Sequence, residues 1–398
     1  MKYIHPTVLL LGIISLFNDM AGEMIYPLLP LFLFKTLGTG AFRLGLIEGI
    51  AEATASLLKV ISGIWTDRSG KRKPFILVGY GMAGLAKPLI GLAGSWPAVL
   101  ALRFMDRVGK GIRTSPRDAL IADVSPPEHR GASFGFHRAM DHAGAVIGPL
   151  VAALLLMLPT ISLREVFFLA AIPAAISFLI AWIGIKESSR TPVAAPTPLS
   201  KPIKLSSWNR LSSNYKLYLF SIFIFTLGNS TDAFILLRLS DAGASATWVA
   251  VLWSLHHIIK MAANYYGGRL SDRWGHRRQL GLGWIFYAVV YLLFAITDSI
   301  SGIIAVFMLY GLYYGLVEPS ERALAVALAP DHLRGTALGY FHLTLGLAAL
   351  PASLLFGMIW QNWGHGPAFF VGAALALIAT LALQFNDTKS ELKNGREA

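Results

Sequence analysis

Ionisable side chains sit in this chain where water should not reach. Asp19, Glu23, Glu52, Lys87, Arg103, Arg107, Lys110, Asp141, His142 and His257 all fall inside long apolar stretches. Such groups are costly in a bilayer, and they mark ion or substrate paths and proton relays. Asp19 and Glu23 are four residues apart and so share one helix face. A carboxylate there can take a proton at one membrane face and release it at the other, with Asp19 the leading candidate for this role. Arg103, Arg107 and Lys110 form a basic stripe with Asp106 beside it. Arginine binds carboxylates bidentately, so the stripe points to an anionic or carboxylate-bearing solute. Asp106–Lys110 and Glu52–Lys59 also read as structural pairs that neutralise one another. A metal site built from His137, Asp141, His142, His256 and His257 fits less well. Adjacent histidines project about 100° apart on a helix, which leaves only His137 and Asp141 one turn apart, too few for a ligand set. Tyr310, Tyr313 and Tyr314 read as packing or as an aromatic wall.

A second constellation is written twice. G-I-W-T-D-R-S-G-K-R-K runs from Gly63 to Lys73, and G-R-L-S-D-R-W-G-H-R-R from Gly268 to Arg278. The acidic positions, Asp67 and Asp272, lie 205 residues apart, which implies two related halves. The copies contribute Gly63, Asp67, Arg68, Gly70 and Arg72, then Gly268, Asp272, Arg273, Gly275 and Arg277. Each is placed just past the end of a helix, at a hydrophobic boundary. Arg72 is placed to pair with Asp123.

The elements that must carry these groups are membrane helices. Hydrophobic residues make up 55% of the 398 and charged residues 14%, with mean hydropathy +0.58. Soluble domains carry about 25% charge. Apolar runs of about 20 residues recur throughout, the length that spans a bilayer. Twelve spans are expected, at about 7–35, 43–65, 74–94, 97–122, 131–158, 165–185, 216–238, 245–268, 279–297, 301–328, 335–360 and 366–384. The first reads as a retained helix and not a signal peptide, because it is long and carries Asp19 and Glu23. The net charge of +12 is spread over short loops on one side, which argues against a nucleic-acid face and puts both termini in the cytoplasm. Lys35, Arg43 and Arg164 are exceptions on the other side. With no cysteine, disulfides and thiolate metal sites are excluded. The expected organisation is a six-helix bundle over 1–186, a cytoplasmic linker over 187–215, a second bundle over 216–385 and a tail over 386–398. Further repeats support the duplication: Pro126–Gly131 matches Pro330–Gly335, and Asn18–Asp19 has a counterpart in Asn229–Asp232.

On these motifs the chain resembles the major facilitator superfamily over essentially its full length. Both copies of the loop signature G-x-x-x-D-R-x-G-R-R are nearly complete. R-V-G-K-G at Arg107–Gly111 is similar to the family pattern R-x-x-Q-G, with Lys110 in place of glutamine. G-A-V-I-G-P, with Gly144, Gly148 and Pro149, is similar to a helix-packing motif of proton-coupled exporters. The resemblance implies an all-α integral membrane protein of twelve transmembrane helices, in two six-helix bundles related by a pseudo-two-fold axis along the membrane normal. It also implies a cytoplasmic gate at the repeated motif, and a cavity lined by the first, fourth, seventh and tenth helices.

The function expected is secondary active transport of a small solute by alternating access. No phosphate-binding G-x-x-x-x-G-K-[ST] sequence is present, so energy must come from an ion gradient, a solute gradient or a partner, with the proton gradient the expected source and no cofactor called for. No nucleophile–base pair or metal triad marks an enzyme. Export of a small organic solute leads. The alternatives are proton-driven import of an anionic metabolite or metal chelate such as a siderophore, and metal-ion transport. The partners are the lipid bilayer and the solute, with the chain a monomer in a bacterial cytoplasmic (inner) membrane.

Overall fold

The computed structural model describes residues 4–69, 71–125, 130–186, 208, 211–329 and 334–384. These form twelve helical segments: α1 (Pro6–Thr36), α2 (Ala41–Ser69), α3 (Lys73–Leu92), α4 (Trp96–Val124), α5 (Arg130–Leu156), α6 (Leu163–Gly184), α7 (Ser213–Asp241), α8 (Ala246–Trp274), α9 (His276–Ile296), α10 (Ile300–Ala327), α11 (Arg334–Trp363) and α12 (His365–Gln384). Local chemistry sets the starts. Proline stands in the first turn of α1, α3 and α4, where its missing N–H costs nothing. Ser212 and Ser299 cap α7 and α10 by accepting from Tyr215 N and Gly302 N at 3.1 and 3.3 Å. Helix α7 therefore begins at Ser213, inside the stretch expected to be linker. Residues 187–207 and 209–210 of that linker lie outside the described residues, as do Gly70, 126–129, 330–333 and the tail from 385.

Nine of the twelve segments are long and apolar enough to cross a membrane. The other three, α2, α4 and α8, have the length, at 29 residues each, but carry the charges. Burial is inverted relative to a soluble protein. Ile183, Ile296 and Leu154 point outward at 78%, 74% and 65% exposure, while Lys87, Arg103 and Asp106 are 6% exposed. Only a hydrocarbon surround makes that arrangement favourable.

Three departures from the expected spans have physical causes. The repeated motif does not lie past the helix ends: Asp67 and Asp272 belong to the last turns of α2 and α8. In the second copy the helix runs on until Gly275, whose φ of +84° suits glycine. Segment α7 is not continuous but breaks between Gly228 and Ala233. Tyr287 Oη donates to the freed Gly228 carbonyl at 3.0 Å and to Asn229 Oδ1 at 3.3 Å, and Asn229 Nδ2 donates to Tyr313 Oη at 3.3 Å. In α1, Pro27 and Pro30 accompany a tight turn at Tyr26–Leu28 and a wide one at Phe32–Thr36.

The chain divides into two compact units, Met1–Pro192 with Asp232–Ile258, and Val193–Thr231 with Ile259–Ala398. In the first, α1 packs on α5 and α6, and α4 packs on both α2 and α3. In the second, α9 packs on α10 and α12, and the first part of α7 on α11 and α12. Arg164, at the start of α6, donates to the Gly91 and Ala93 carbonyls at 2.5 and 3.0 Å. That contact explains one exception to the charge asymmetry: the arginine satisfies carbonyls at the end of α3.

Glycine sets the closest approaches, since without hydrophobic drive between helices packing must do the work. A Cβ on Gly144 would collide with the Leu16 carbonyl oxygen and lie 3.0 Å from Met20 N, and one on Gly148 would collide with the Met20 carbonyl. Neither backbone can retreat without displacing α1. Gly148→Val is expected to lower stability by about 1–3 kcal/mol, read as a fall in the thermal unfolding midpoint of the detergent-solubilised protein, with Gly135→Val, which meets open space, as the control.

Candidate functional site

Helix α4 is the spine of the site, and its glycines place it. A Cβ on Gly109 would stand 2.5 Å from the Gly79 carbonyl of α3, and one on Gly111 would stand 2.5 Å from Leu58 Cβ of α2. Small residues at these two positions let α4 press against both neighbours. Arg107, before the pair, and Lys110, between them, are left to line a cavity of about 70 Å³. Its other charged lining residues are Asp19 and Glu23 of α1, Lys87 of α3, and Arg103, Asp106 and Arg113 of α4. Five cations thus face three carboxylates inside the first unit.

Six of the residues singled out from sequence meet here: Asp19, Glu23, Lys87, Arg103, Arg107 and Lys110. Lys87 Nζ donates to the carbonyl oxygen and Oδ1 of Asn18 at 3.1 and 2.9 Å, and Asn18 Nδ2 donates to Asp19 Oδ1 at 2.8 Å. Glu23 accepts the indole N–H of Trp253 at 2.7 Å, and His257 Nε2 stands 4.0 Å away. Glu52, Asp141 and His142 do not line the cavity. Asp141 lies 3.6 Å from His137 Nδ1 and 3.5 Å from Arg138 Nη1, so the carboxylate that a metal would need already faces a guanidinium. Among the described residues, no three His, Cys, Asp or Glu side chains converge in a way that could hold a metal ion. The rings of His256 and His257 are 6.1 Å apart and nearly perpendicular.

One expected pair is replaced. Asp106 turns to Arg103 and Arg107, at 3.4 and 3.8 Å, and not to Lys110. Glu52 and Lys59 act on each other electrostatically without a direct ion pair among the described residues. The strongest ion pair in the site went unread in the sequence. Glu48 of α2 accepts from Arg103 Nε at 3.0 Å and from Nη2 at 2.7 and 2.9 Å, with both side chains buried. Its signal was present, since Glu48 and Glu52 are four apart on one face of α2. Arg113, three residues beyond Lys110, extends the stripe and was also missed. Trp253 had no local signal, because its role depends on α8 meeting α1.

Of the repeated motif, Arg72 Nε lies 3.7 Å from Asp123 Oδ2. Arg277 donates to the Leu383 carbonyl at 3.2 Å and to that of Gln384, at the end of α12. Arg273 is exposed. A Cβ on Gly63 would make ordinary contact with Ser115, and the Gly63 carbonyl accepts from Thr66 Oγ1 at 3.0 Å. Gly70 and the side chains of Asp67, Arg68, Gly268 and Asp272 lie outside what is described. The three tyrosines of α10 lie close together in the second unit. Tyr310 stacks on Tyr313 at 5.5 Å and both are buried, while Tyr310 and Tyr314 share a hydroxyl contact of 3.2 Å.

Breaking one side of a buried, hydrogen-bonded ion pair costs about 3–5 kcal/mol, because the other charge is stranded. Glu48→Gln is therefore expected to destabilise the protein by that amount in thermal unfolding. A Glu48→Leu/Arg103→Met double variant should recover most of the loss.

The fold and this cavity agree with what the chain resembles. The model of the Major Facilitator Superfamily matches residues 11–259 and 218–398. An uncharacterised MFS-type transporter of Methanocaldococcus jannaschii is 34% identical over 391 residues, covering 96% of each chain. The multidrug resistance protein MdtH of Photorhabdus laumondii is 26% identical over 388 residues, covering 92% of each. Among solved structures, the nucleoside transporter NupG superposes with a TM-score of 0.80 at 14% identity, over 95% of this chain and 98% of that one. Twelve helical segments, charges turned inward and a full-length family match lead to one conclusion: the chain is an integral membrane transporter of the Major Facilitator Superfamily.

Proposed function

We propose that this transporter exports a small organic solute bearing an anionic group, and that proton movement drives the export. The observation that carries the reading is the cavity of the first unit, where five cations and three carboxylates share one space. Glu48 neutralises Arg103 from outside the lining, which leaves four cations to three carboxylates; that excess favours an anion, and arginine suits oxyanions in particular. Carboxylates within reach of the same space can exchange a proton for the solute. Asp19 and Glu23 are the candidates, each already touched by a hydrogen-bond donor. The export direction is supported by the Gly144, Gly148 and Pro149 packing against α1 and by the likeness to MdtH. Proton-driven import would use the same site, and the sign of the driving gradient separates the two.

The repeated Asp–Arg motif is proposed as a cytoplasmic gate, with both termini on that side and Arg72–Asp123 as one of its contacts. Such contacts bias the balance between inward- and outward-facing states only if they form in one state and not the other.

In proteoliposomes screened with radiolabelled organic anions under an imposed pH gradient, transport is expected when protons run opposite to the solute. Asp19→Asn should reduce gradient-driven transport at least ten-fold while leaving solute exchange measurable. Full gradient-driven transport by this variant would remove Asp19 as the coupling residue, and transport only with protons moving alongside the solute would reverse the direction. For the gate, Asp67→Asn should increase the labelling of cysteines introduced on the cytoplasmic side of the cavity. Unchanged labelling would sink that assignment.

A further inference from the structure

The five cations of the cavity are not equivalent. Lys87 is occupied by two acceptors on Asn18, and Arg103 is occupied by both oxygens of Glu48. The remaining three, all on α4, are under-used. Among the described residues, Arg107 makes a direct ion pair only with Asp106, at 3.8 Å, a carboxylate that Arg103 reaches at 3.4 Å, and its buried Nε has no hydrogen-bond acceptor. Arg113 is 5% exposed and lies 4.7 Å over the Tyr80 ring, with no acceptor among the described residues for its buried Nε and Nη1. The Lys110 ammonium feels the charge of Glu52 but makes no direct hydrogen bond or ion pair among the described residues.

Their spacing is as informative as their lack of acceptors. Residues 107, 110 and 113 follow one another at intervals of three along α4, rising about 9 Å in all. Gly109 and Gly111 hold that stretch of helix against α3 and α2, so the donors are presented on a fixed scaffold. Buried N–H groups and charges that the protein leaves unanswered are costly, and a ligand that answers them recovers the loss. A monocarboxylate offers one charge and two oxygens in a plane, which a single guanidinium satisfies. It would leave two cations unmatched. A phosphate monoester offers a charge near −2 and three acceptor oxygens arranged tetrahedrally, enough to engage two guanidinium groups and an ammonium together.

We propose that the anionic group recognised by this cavity is a phosphate-monoester or phosphonate dianion, held by Arg107, Lys110 and Arg113. The inference rests on the anionic-solute reading above and narrows it.

The test uses the full chain purified in detergent and three probes of similar size: phenyl phosphate, benzoate and phthalate. Affinities are read from ligand-dependent shifts in the thermal midpoint, which follow from linkage. Phenyl phosphate is expected to bind at least ten-fold more tightly than either carboxylate. Lys110→Gln, which breaks no direct hydrogen bond or ion pair among the described residues, and Arg113→Gln should each weaken it ten-fold or more, and the exposed Arg278→Gln should leave it unchanged. Equal or tighter binding of benzoate or phthalate would overturn the phosphate inference and leave the anionic-solute reading standing. Phenyl phosphate binding that survives Lys110→Gln intact would overturn the assigned site. If none of the three anions binds to protein that still transports another solute under a pH gradient, the anionic-solute reading falls as well.

Discussion

The bidentate contact between Arg103 and Glu48 is the interaction on which the site depends. A charge in the hydrocarbon region is tolerable only when it is matched, hydrogen-bonded or reached by water. Helix α4 carries Arg103, Asp106, Arg107, Lys110, Arg113, Arg117 and Asp118 within four turns and could not sit in a bilayer alone. Both ends of the ladder are answered within the protein. Glu48 takes Arg103, while Asp118 and Ser15 take Arg117 at 2.9 and 3.2 Å. The middle is answered only in part, and the middle is where the cavity opens. The proposed binding site lies where the internal matching stops.

Close helix packing makes that division possible. Arg103 can reach Glu48 because α4 is pressed against α2 and α3 at Gly111 and Gly109, where any side chain would intrude. Within the R-V-G-K-G stretch, the glycines are therefore structural and the cations are free to be functional. The same logic governs Gly144 and Gly148, which hold α5 against the part of α1 that carries Asp19. The coupling candidate and the packing motif are thus one mechanical unit, because moving α5 must move the backbone of Met20 beside Asp19.

The two units solve the problem of interior polarity differently. The first holds ionic ladders. The second relies on neutral groups: Gln279 donates to the Gly267, Gly315 and Leu316 carbonyls, and buried tyrosines and tryptophans stack around Phe225 and Tyr291. An ionic group also appears there, as Glu318 meets Lys260 at 3.6 Å and Asn264 at 3.0 Å. The two units thus differ in chemistry although the chain carries the Asp–Arg motif twice, and the charged cavity belongs to the first unit.

Hydrophobic run length, glycine and proline punctuation and the doubled Asp–Arg motif determined the class of protein, the number of spans and the family resemblance. These features are local or periodic, and a bilayer enforces helix wherever they occur. They also marked six cavity residues, because a charge inside an apolar run is conspicuous whatever surrounds it. The sequence alone could not say which charge answers which. Asp106 was matched to Lys110 by spacing on one helix, yet Arg103 and Arg107 took it. Glu48 was passed over although it sits on the same face as Glu52. Trp253 reached Glu23 across 230 positions of chain. Pairing in a low-dielectric interior is decided by which helices touch and how closely, so the identity of the unspent cations emerges only from the tertiary structure.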